Sequence, residues 1–262
     1  MPTARGMTDR ERYDFDRLGY IIIKGFLDAK ETVQLRDAVD ALEEHAARNL
    51  PNGEPTVPLK QSPWGATYHY DHELGYHCQG ARDEGRTIII EDFFNADPRF
   101  DFLVDHPRTM AYVSEVVKER PSINNSEIRC RYRGNQSGSH GSGPHVSRKY
   151  QYKFEPDAGI DCGMCRMVYF VRDNSNAEGA FCVVPGSHKA NLPLPEDYLV
   201  NVDDDPSMVG LEVKAGDAIF FTEHLRHGGF TNRTDTPRLT VHVGCGPWWF
   251  MCVSISTTFF SR

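Results

Sequence analysis

The sequence predicts a mainly β fold, a jelly-roll core with helices packed against it. Three observations carry this. Beyond residue 125 the chain breaks into short strand-like runs, "SEIRCRYRG", "CGMCRMVYFVRD", "AFCVVPGS", "GDAIFFTE" and "RLTVHVGCG", separated by Gly, Pro, Asn and Asp turns. Helical periodicity is confined to the first half. No strand–helix alternation occurs, so a doubly wound or (β/α)-barrel architecture is excluded.

The elements follow in order. Residues 8–18, "TDRERYDFDRL", form a short polar helix, and "GYIIIKGFL" is a β-branched strand. Asp28, with Glu31 three residues on, makes a capping box, and Leu35, Val39, Leu42 and Ala46 recur at helical spacing behind it. Pro51-Asn52-Gly53 ends that helix. Residues 51–85 show no period and read as a long loop, a lid or substrate wall. "PRTMAYVSEVVKE", 107–119, opens with Pro107 and is a further helix. The whole chain, 1–262, therefore reads as one domain: a helical buttress and lid loop over 1–124, and the β core over 125–262.

Composition narrows the function. With 37 acidic against 29 basic residues the net charge is −8, which argues against nucleic acid or an anionic membrane as partner. No run is apolar enough to span a bilayer and no export signal opens the chain, so a cytoplasmic protein is expected. The seven cysteines are odd in number and read as free thiols. Cys162-Gly-Met-Cys165 stands alone, without a second such pair, and reads as buried thiols rather than a zinc or redox site.

The densest signal lies in "AFCVVPGSHKANLPLP" and "VKAGDAIFFTEHLRHGGFTNRTDTPRLTVHV". Together with the amino-terminal "FDRLGYIIIKGFLD", the pieces Val184-Pro185-Gly186-Ser187-His188-Lys189, Ala215-Gly216-Asp217, His227-Gly228 and Arg238 resemble the phytanoyl-CoA dioxygenase-like family. The resemblance covers most of the chain. It implies a double-stranded β-helix, the cupin-like form of the jelly roll, and a non-haem Fe(II)- and 2-oxoglutarate-dependent dioxygenase with O₂ as cosubstrate. It also implies a metal site of one His and one Asp or Glu in an H-x-D/E motif plus a distal His, a set that suits Fe(II). His227 matches the distal ligand. Arg238, eleven residues on, matches the arginine that holds the far carboxylate of 2-oxoglutarate, and Thr240 on the same strand face can add a hydroxyl.

The first half of the metal motif departs from this pattern. In "QSGSHGSGPHVS" both histidines, His140 and His145, are followed at the third position by serine, Ser142 or Ser147. His140 is the preferred ligand, because "SHGSGP" followed by Tyr150-Gln151-Tyr152 resembles a Gly-rich segment of some family members; His145 is the alternative. His69-Tyr70-Asp71 is formally H-x-D but lies far ahead of the core strands. His188, His224 and His242 read as turn, packing or surface residues. Three explanations compete for the missing carboxylate: another acid fills the place, an open position takes water or chloride as in related halogenases, or catalysis is lost. Glu223, closing the strand that leads to His227, is the favoured substitute over Asp157 and Asp161.

The expectation is therefore an oxygenase that attacks an unactivated C–H bond, by hydroxylation or oxidative ring closure. Its substrate would be a small polar natural product, a sugar or aminoglycoside antibiotic intermediate of the kind met in orthosomycin pathways. An iron halogenase and a non-catalytic metal or small-molecule binding protein of the same fold are the alternatives. The sequence does not set the oligomeric state.

Overall fold

The computed structural model describes residues 5–50, 68–142, 151–196 and 201–250. His145, Ser147, Cys252 and the Pro51-Asn52-Gly53 helix exit lie outside these residues. In chain order the elements are α1 (Asp9–Leu18), β1 (Tyr20–Ile23), α2 (Ala29–Asn49), β2 (His69–Tyr70), β3 (His77–Gly80), β4 (Thr87–Glu91), α3 (Pro107–Val116) and β5 (Pro121–Arg131). They continue with β6 (Ser137–His140), β7 (Tyr152–Glu155), β8 (Gly159–Cys162), β9 (Cys165–Phe170), β10 (Phe181–Val183), β11 (Val209–Leu211), β12 (Ala218–Thr222), β13 (His227–Gly229) and β14 (Arg238–Pro247). Short 3₁₀ turns precede α3 and follow β10.

Both early helices start as their sequences dictate. Thr8 with Glu11, and Asp28 with Glu31, form complete capping boxes. Pro107 opens α3, which ends at Val116, and the β-branched Val117 that follows is extended.

Every sheet is antiparallel. The larger one runs β1-β12-β9-β14-β5-β4-β3-β2, the smaller runs β11-β10-β13-β6, and β7-β8 is a separate hairpin. The two sheets make the jelly roll. Residues 68–91 are a departure from the sequence reading. Most of this stretch reads as loop, yet it supplies β2, β3 and β4 as the far edge of the large sheet. β2 and β3 are short and polar, so register with a neighbour makes them strands, not their own periodicity.

Strand alternation sorts the large sheet into two faces. Ile88, Ile90, Ile128, Cys130, Met167, Tyr169, Phe220, Leu239 and Val241 point outward into a core shared with Leu35, Ala38, Val39, Leu42 and Ala46 of α2. Truncating one of these, such as Phe220→Ala, costs about 3–5 kcal/mol through lost transfer energy and the cavity left behind. The inward face changes character across the sheet. On β12 and β9, Ile219, Phe221, Val168 and Phe170 meet Phe181, Val183 and Leu211 of the small sheet in a second apolar core. Across β14, β5 and β4 the same face carries Arg238, Thr240, His242, Glu127, Arg129, Arg131 and Glu91, all but Arg129 buried. So much buried charge on one face is costly unless paired, and it marks where the barrel holds its site. The six cysteines among the described residues are free and buried.

Candidate metal and cosubstrate site

β6 and β13 pair antiparallel, and His227 lies directly opposite His140. The two imidazole centroids are 4.1 Å apart, and Phe221 and Phe181 flank His227 at 4.8 and 5.6 Å. Each ring has one nitrogen on a carbonyl: His227 Nδ1 on Leu225 O at 2.8 Å, His140 Nδ1 on Gly138 O at 3.2 Å. A carbonyl only accepts, so Nδ1 carries the hydrogen in both rings and each Nε2 keeps its lone pair. Burial, with the neighbouring His140 imidazole adding to it, pushes His227 down to about 3. His140, at the open edge of the small sheet, is also lowered, mostly by desolvation. Two neutral imidazoles are what a divalent metal requires.

The carboxylate arrives from the turn between β12 and β13. One ligand atom each from His140, Glu223 and His227 lies within 4.8 Å of the others. The serine in the H-x-D/E place takes another role. Ser142 has φ 61° and its N–H donates to His224 O at 2.9 Å. Before it, Gly141 has φ 90°, and a Cβ there would sit 2.4 Å from Leu225 O. The segment after His140 is thus pressed backbone-to-backbone against the Glu223–Arg226 turn, where only glycine fits.

Glu223 is itself ion-paired with Arg166 of β9. Arg166 also donates to Asn125 Oδ1 at 2.6 Å and approaches Glu127 Oε1 at 3.5 Å, while Glu127 takes Arg129 Nε at 2.6 Å. Burial alone would raise the Glu223 carboxyl, but the Arg166 guanidinium outweighs it and holds it ionised below its usual range. Glu127 is likewise kept ionised against burial by Arg129 and Arg166.

Arg238, the first residue of β14, reaches across to the small sheet. Its guanidinium donates to Gly179 O and lies over Gly229, where a Cβ would be 2.7 Å from Nη1. Gly229 is two residues along β13 from His227, about 7 Å by strand rise. Arg238 Nε is buried without a hydrogen-bond partner, and no carboxylate among the described residues pairs with this side chain.

A narrow cavity joins these groups, lined by His140, Glu223, His227 and Arg238 together with Arg129, Arg131, Arg166 and His242. None of the last four was read from the sequence as a site residue. His242, read there as packing or surface, lies on the cavity wall. Thr240 is buried beside it, its hydroxyl sharing a 2.9 Å hydrogen bond with His242 Nε2 and not placed on the cavity wall. Alternating arginines in "IRCRYR" were the available signal, but alternation on a strand reads as a solvent-facing row until the register is known. Other sequence candidates sit apart. Asp71 is engaged by His45 Nε2 at 2.9 Å, His188 binds Asp16 O at 2.9 Å, and Asp157 and Asp161 lie on the β7-β8 hairpin.

A jelly roll with two neutral histidines and one carboxylate converging at its mouth, backed by a buried arginine that lacks an acid, defines an Fe(II)- and 2-oxoglutarate-dependent oxygenase. The model of the phytanoyl-CoA dioxygenase (PhyH) family matches residues 15–240, and the chain belongs to that family. It is 24% identical over 267 residues to phytanoyl-CoA dioxygenase 1 of Oryza sativa subsp. japonica, covering 93% of this chain and 91% of that protein. Among solved structures it resembles HygX from Streptomyces hygroscopicus with nickel and 2-oxoglutarate bound, at TM-score 0.73 and 23% identity over 94% of this chain and 89% of that one. It also resembles SnoN, the non-heme alpha ketoglutarate dependent epimerase from nogalamycin biosynthesis, at TM-score 0.60 and 17% identity over 91% and 80% of the two chains. The residues present fit both cofactors: imidazole and carboxylate donors for Fe(II), and an unpartnered guanidinium for a carboxylate. No helix among the described residues is long and apolar enough to cross a membrane.

Proposed function

We propose that this oxygenase oxidises an unactivated C–H bond of a small polar natural product, by hydroxylation or oxidative ring closure. His140, Glu223 and His227 hold Fe(II), and Arg238 holds the distal carboxylate of 2-oxoglutarate. The observation that carries this reading is the convergence of the three donors within 4.8 Å, in the same cavity as an arginine without an acid. When bound, Fe(II) and 2-oxoglutarate supply the oxidising chemistry, in which O₂ and the keto acid yield succinate and CO₂ as the substrate C–H bond is broken.

The protein's own residues do four things. Leu225 O and Gly138 O fix the tautomer of the two histidines. Arg166 holds the Glu223 carboxylate on one oxygen. Arg238 supplies a charge-assisted anchor, and Phe181 and Phe221 pack around His227 and exclude water from that side. A substrate in the sugar or aminoglycoside class is supported by HygX, whose structure is also known with hygromycin B bound. The polar inner face of β14, β5 and β4 suits such a hydroxyl-rich molecule better than a lipid chain. A carboxylate beside the histidine pair speaks against an open halide position, and so against the halogenase reading.

The test is an anaerobic titration with Fe(II) and 2-oxoglutarate, followed by the visible charge-transfer band of chelated keto acid. Wild type should show the band, His140→Ala should bind no iron, and Arg238→Leu should weaken 2-oxoglutarate by about 2–5 kcal/mol. Full iron content in His140→Ala, with loss in His145→Ala, would transfer the ligand role to His145. A chlorinated product in the presence of chloride would move the enzyme to the halogenase class.

A further inference from the structure

Arg131 and Arg238 are direct cross-strand partners in the β5–β14 ladder. They point to the same inner face, and both line the cavity that holds the histidine pair. Each is about 5% exposed, and in each the Nε is buried without a hydrogen-bond partner. Like charges opposite one another on a sheet destabilise it, and burial makes the cost larger.

The other arginines of this wall have their acids: Arg129 has Glu127, and Arg166 has Glu223. Among the described residues neither Arg131 nor Arg238 has one. Arg131 is nevertheless held in one pose, because its Nη1 donates to Asn135 Oδ1 at 2.7 Å and Gln136 O at 3.2 Å. Arg238 is held from the other side by Gly179 O. Burial opposes the charge of Arg131 most, and the Arg238 and Arg129 guanidiniums add to that opposition. Two fixed forks, facing one cavity with unused donors and no acid, form a receptor for an anion with two oxygens.

We infer that Arg131 and Arg238 together clamp one carboxylate, the distal carboxylate of 2-oxoglutarate, so that Arg131 is a second cosubstrate-binding residue. This rests on the reading of Arg238 given above. The ligand-free protein then carries the repulsion between the two guanidiniums and the bound dicarboxylate relieves it. Selectivity for a 2-oxo dicarboxylate over a 2-oxo monocarboxylate follows from the pair.

The experiment uses the full chain with EDTA for thermal melts, and the nickel-loaded protein for calorimetric titration. The probes are 2-oxoglutarate, glutarate and 2-oxopentanoate. Glutarate, which lacks the keto group, should raise the melting temperature of the metal-free wild type, and 2-oxopentanoate should not. Arg131→Gln should melt higher than wild type without ligand, lose the glutarate shift, and bind 2-oxoglutarate at least tenfold more weakly while 2-oxopentanoate binding stays the same. Arg131→Met serves the same comparison if the Gln variant does not fold. Wild-type 2-oxoglutarate affinity in Arg131→Gln, alongside a loss in Arg238→Gln, would overturn the clamp and leave the Arg238 assignment standing. Unchanged affinity in both variants would overturn the Arg238 assignment and the clamp with it. A lower ligand-free melting temperature with an unchanged preference for the dicarboxylate would confine Arg131 to the fold and overturn the clamp.

Discussion

Glu223 and Arg166 form an ion pair that ties the turn presenting His227 to the neighbouring strand β9. Arg166 in turn leans on Glu127 and Asn125, so the Glu223 carboxylate is anchored by one oxygen from behind and leaves the other for the histidine side. In the proposed ligand set the acid comes from the turn before the second histidine and not from the strand of the first, and the H-x-D/E pattern has no place for Arg166.

Glu223→Gln tests this arrangement. The amide keeps the shape and one acceptor for Arg166 but removes the charge. Metal affinity should fall at least about tenfold, as it does when partners around a metal site are removed. The metal-free variant should also melt lower, because Arg166 is left with Glu127 at 3.5 Å as its acid. Nickel calorimetry and a thermal melt check both. Wild-type nickel affinity would remove Glu223 from the ligand set.

Gly229→Ala isolates the position of Arg238. Gly229 is absent from the residues with positive φ, so alanine meets no backbone strain there. It meets Arg238 Nη1 at 2.7 Å and Nη2 at 3.1 Å instead. The guanidinium must shift while His227, two residues away on β13, keeps its place. The expected result is about a tenfold loss in 2-oxoglutarate affinity, equivalent to ~1.4 kcal/mol, with nickel affinity unchanged. Equal losses of both would show that the alanine disturbs β13 as a whole.

Much of this was legible in the sequence, and the reasons are specific. β12 and β14 are β-branched and aromatic runs, and α2 announces itself through Asp28, Glu31 and its Leu35–Leu42 spacing. His227 and Arg238 were named from motif and spacing and Glu223 from its place at the end of β12, and the fold brings the three to one cavity. β6 and β13, "SGSH" and "HGG", have no strand signal of their own and exist because they pair with each other and with β10. Arg129 and Arg131 alternate with apolar residues and Arg166 stands alone in an apolar run, and only the register shows that their side of the strand is the interior. β2 and β3, short and polar, were hidden for the same reason.

His188 gives a pH dependence. It is fully buried, binds Asp16 O and packs on Tyr152 at 4.6 Å; burial holds it neutral and pushes it down to about 4. In the unfolded chain it titrates near 6.5. Between these values the unfolded state takes up a proton that the folded state refuses, so stability falls as the pH drops through this window. His188→Gln should lessen the loss between pH 6.5 and 5, above the range in which ordinary carboxylates titrate, while the lowered His227 and His140 keep their share. Denaturant midpoints at the two pH values measure it. An identical slope in both proteins would assign the pH dependence elsewhere.

Glu91 makes the opposite case. It is buried on the inner face of β4, accepts Tyr68 O–H at 2.7 Å through Oε1, and leaves Oε2 without a partner. Burial, then the charge of Glu127 opposite it on β5, raises its carboxyl to about 7 against the help of Tyr68. An unfolded glutamate titrates near 4.3. As the pH rises from there to about 7 the unfolded state releases a proton that the folded state retains, so stability declines across that window, and the loss is complete above it. A shift of this size corresponds to at most roughly 3–4 kcal/mol, at 1.36 kcal/mol per unit. Glu91→Gln keeps an acceptor for Tyr68 and removes the titration. At pH 5, where the carboxyl is protonated in the fold, the variant should be close to wild type. At pH 8 it should be more stable by about 1–3 kcal/mol, since no buried charge remains to oppose Glu127. Urea melts of both proteins at the two pH values decide it: equal stability at pH 8 would mean that Glu91 is already ionised and compensated in the folded protein.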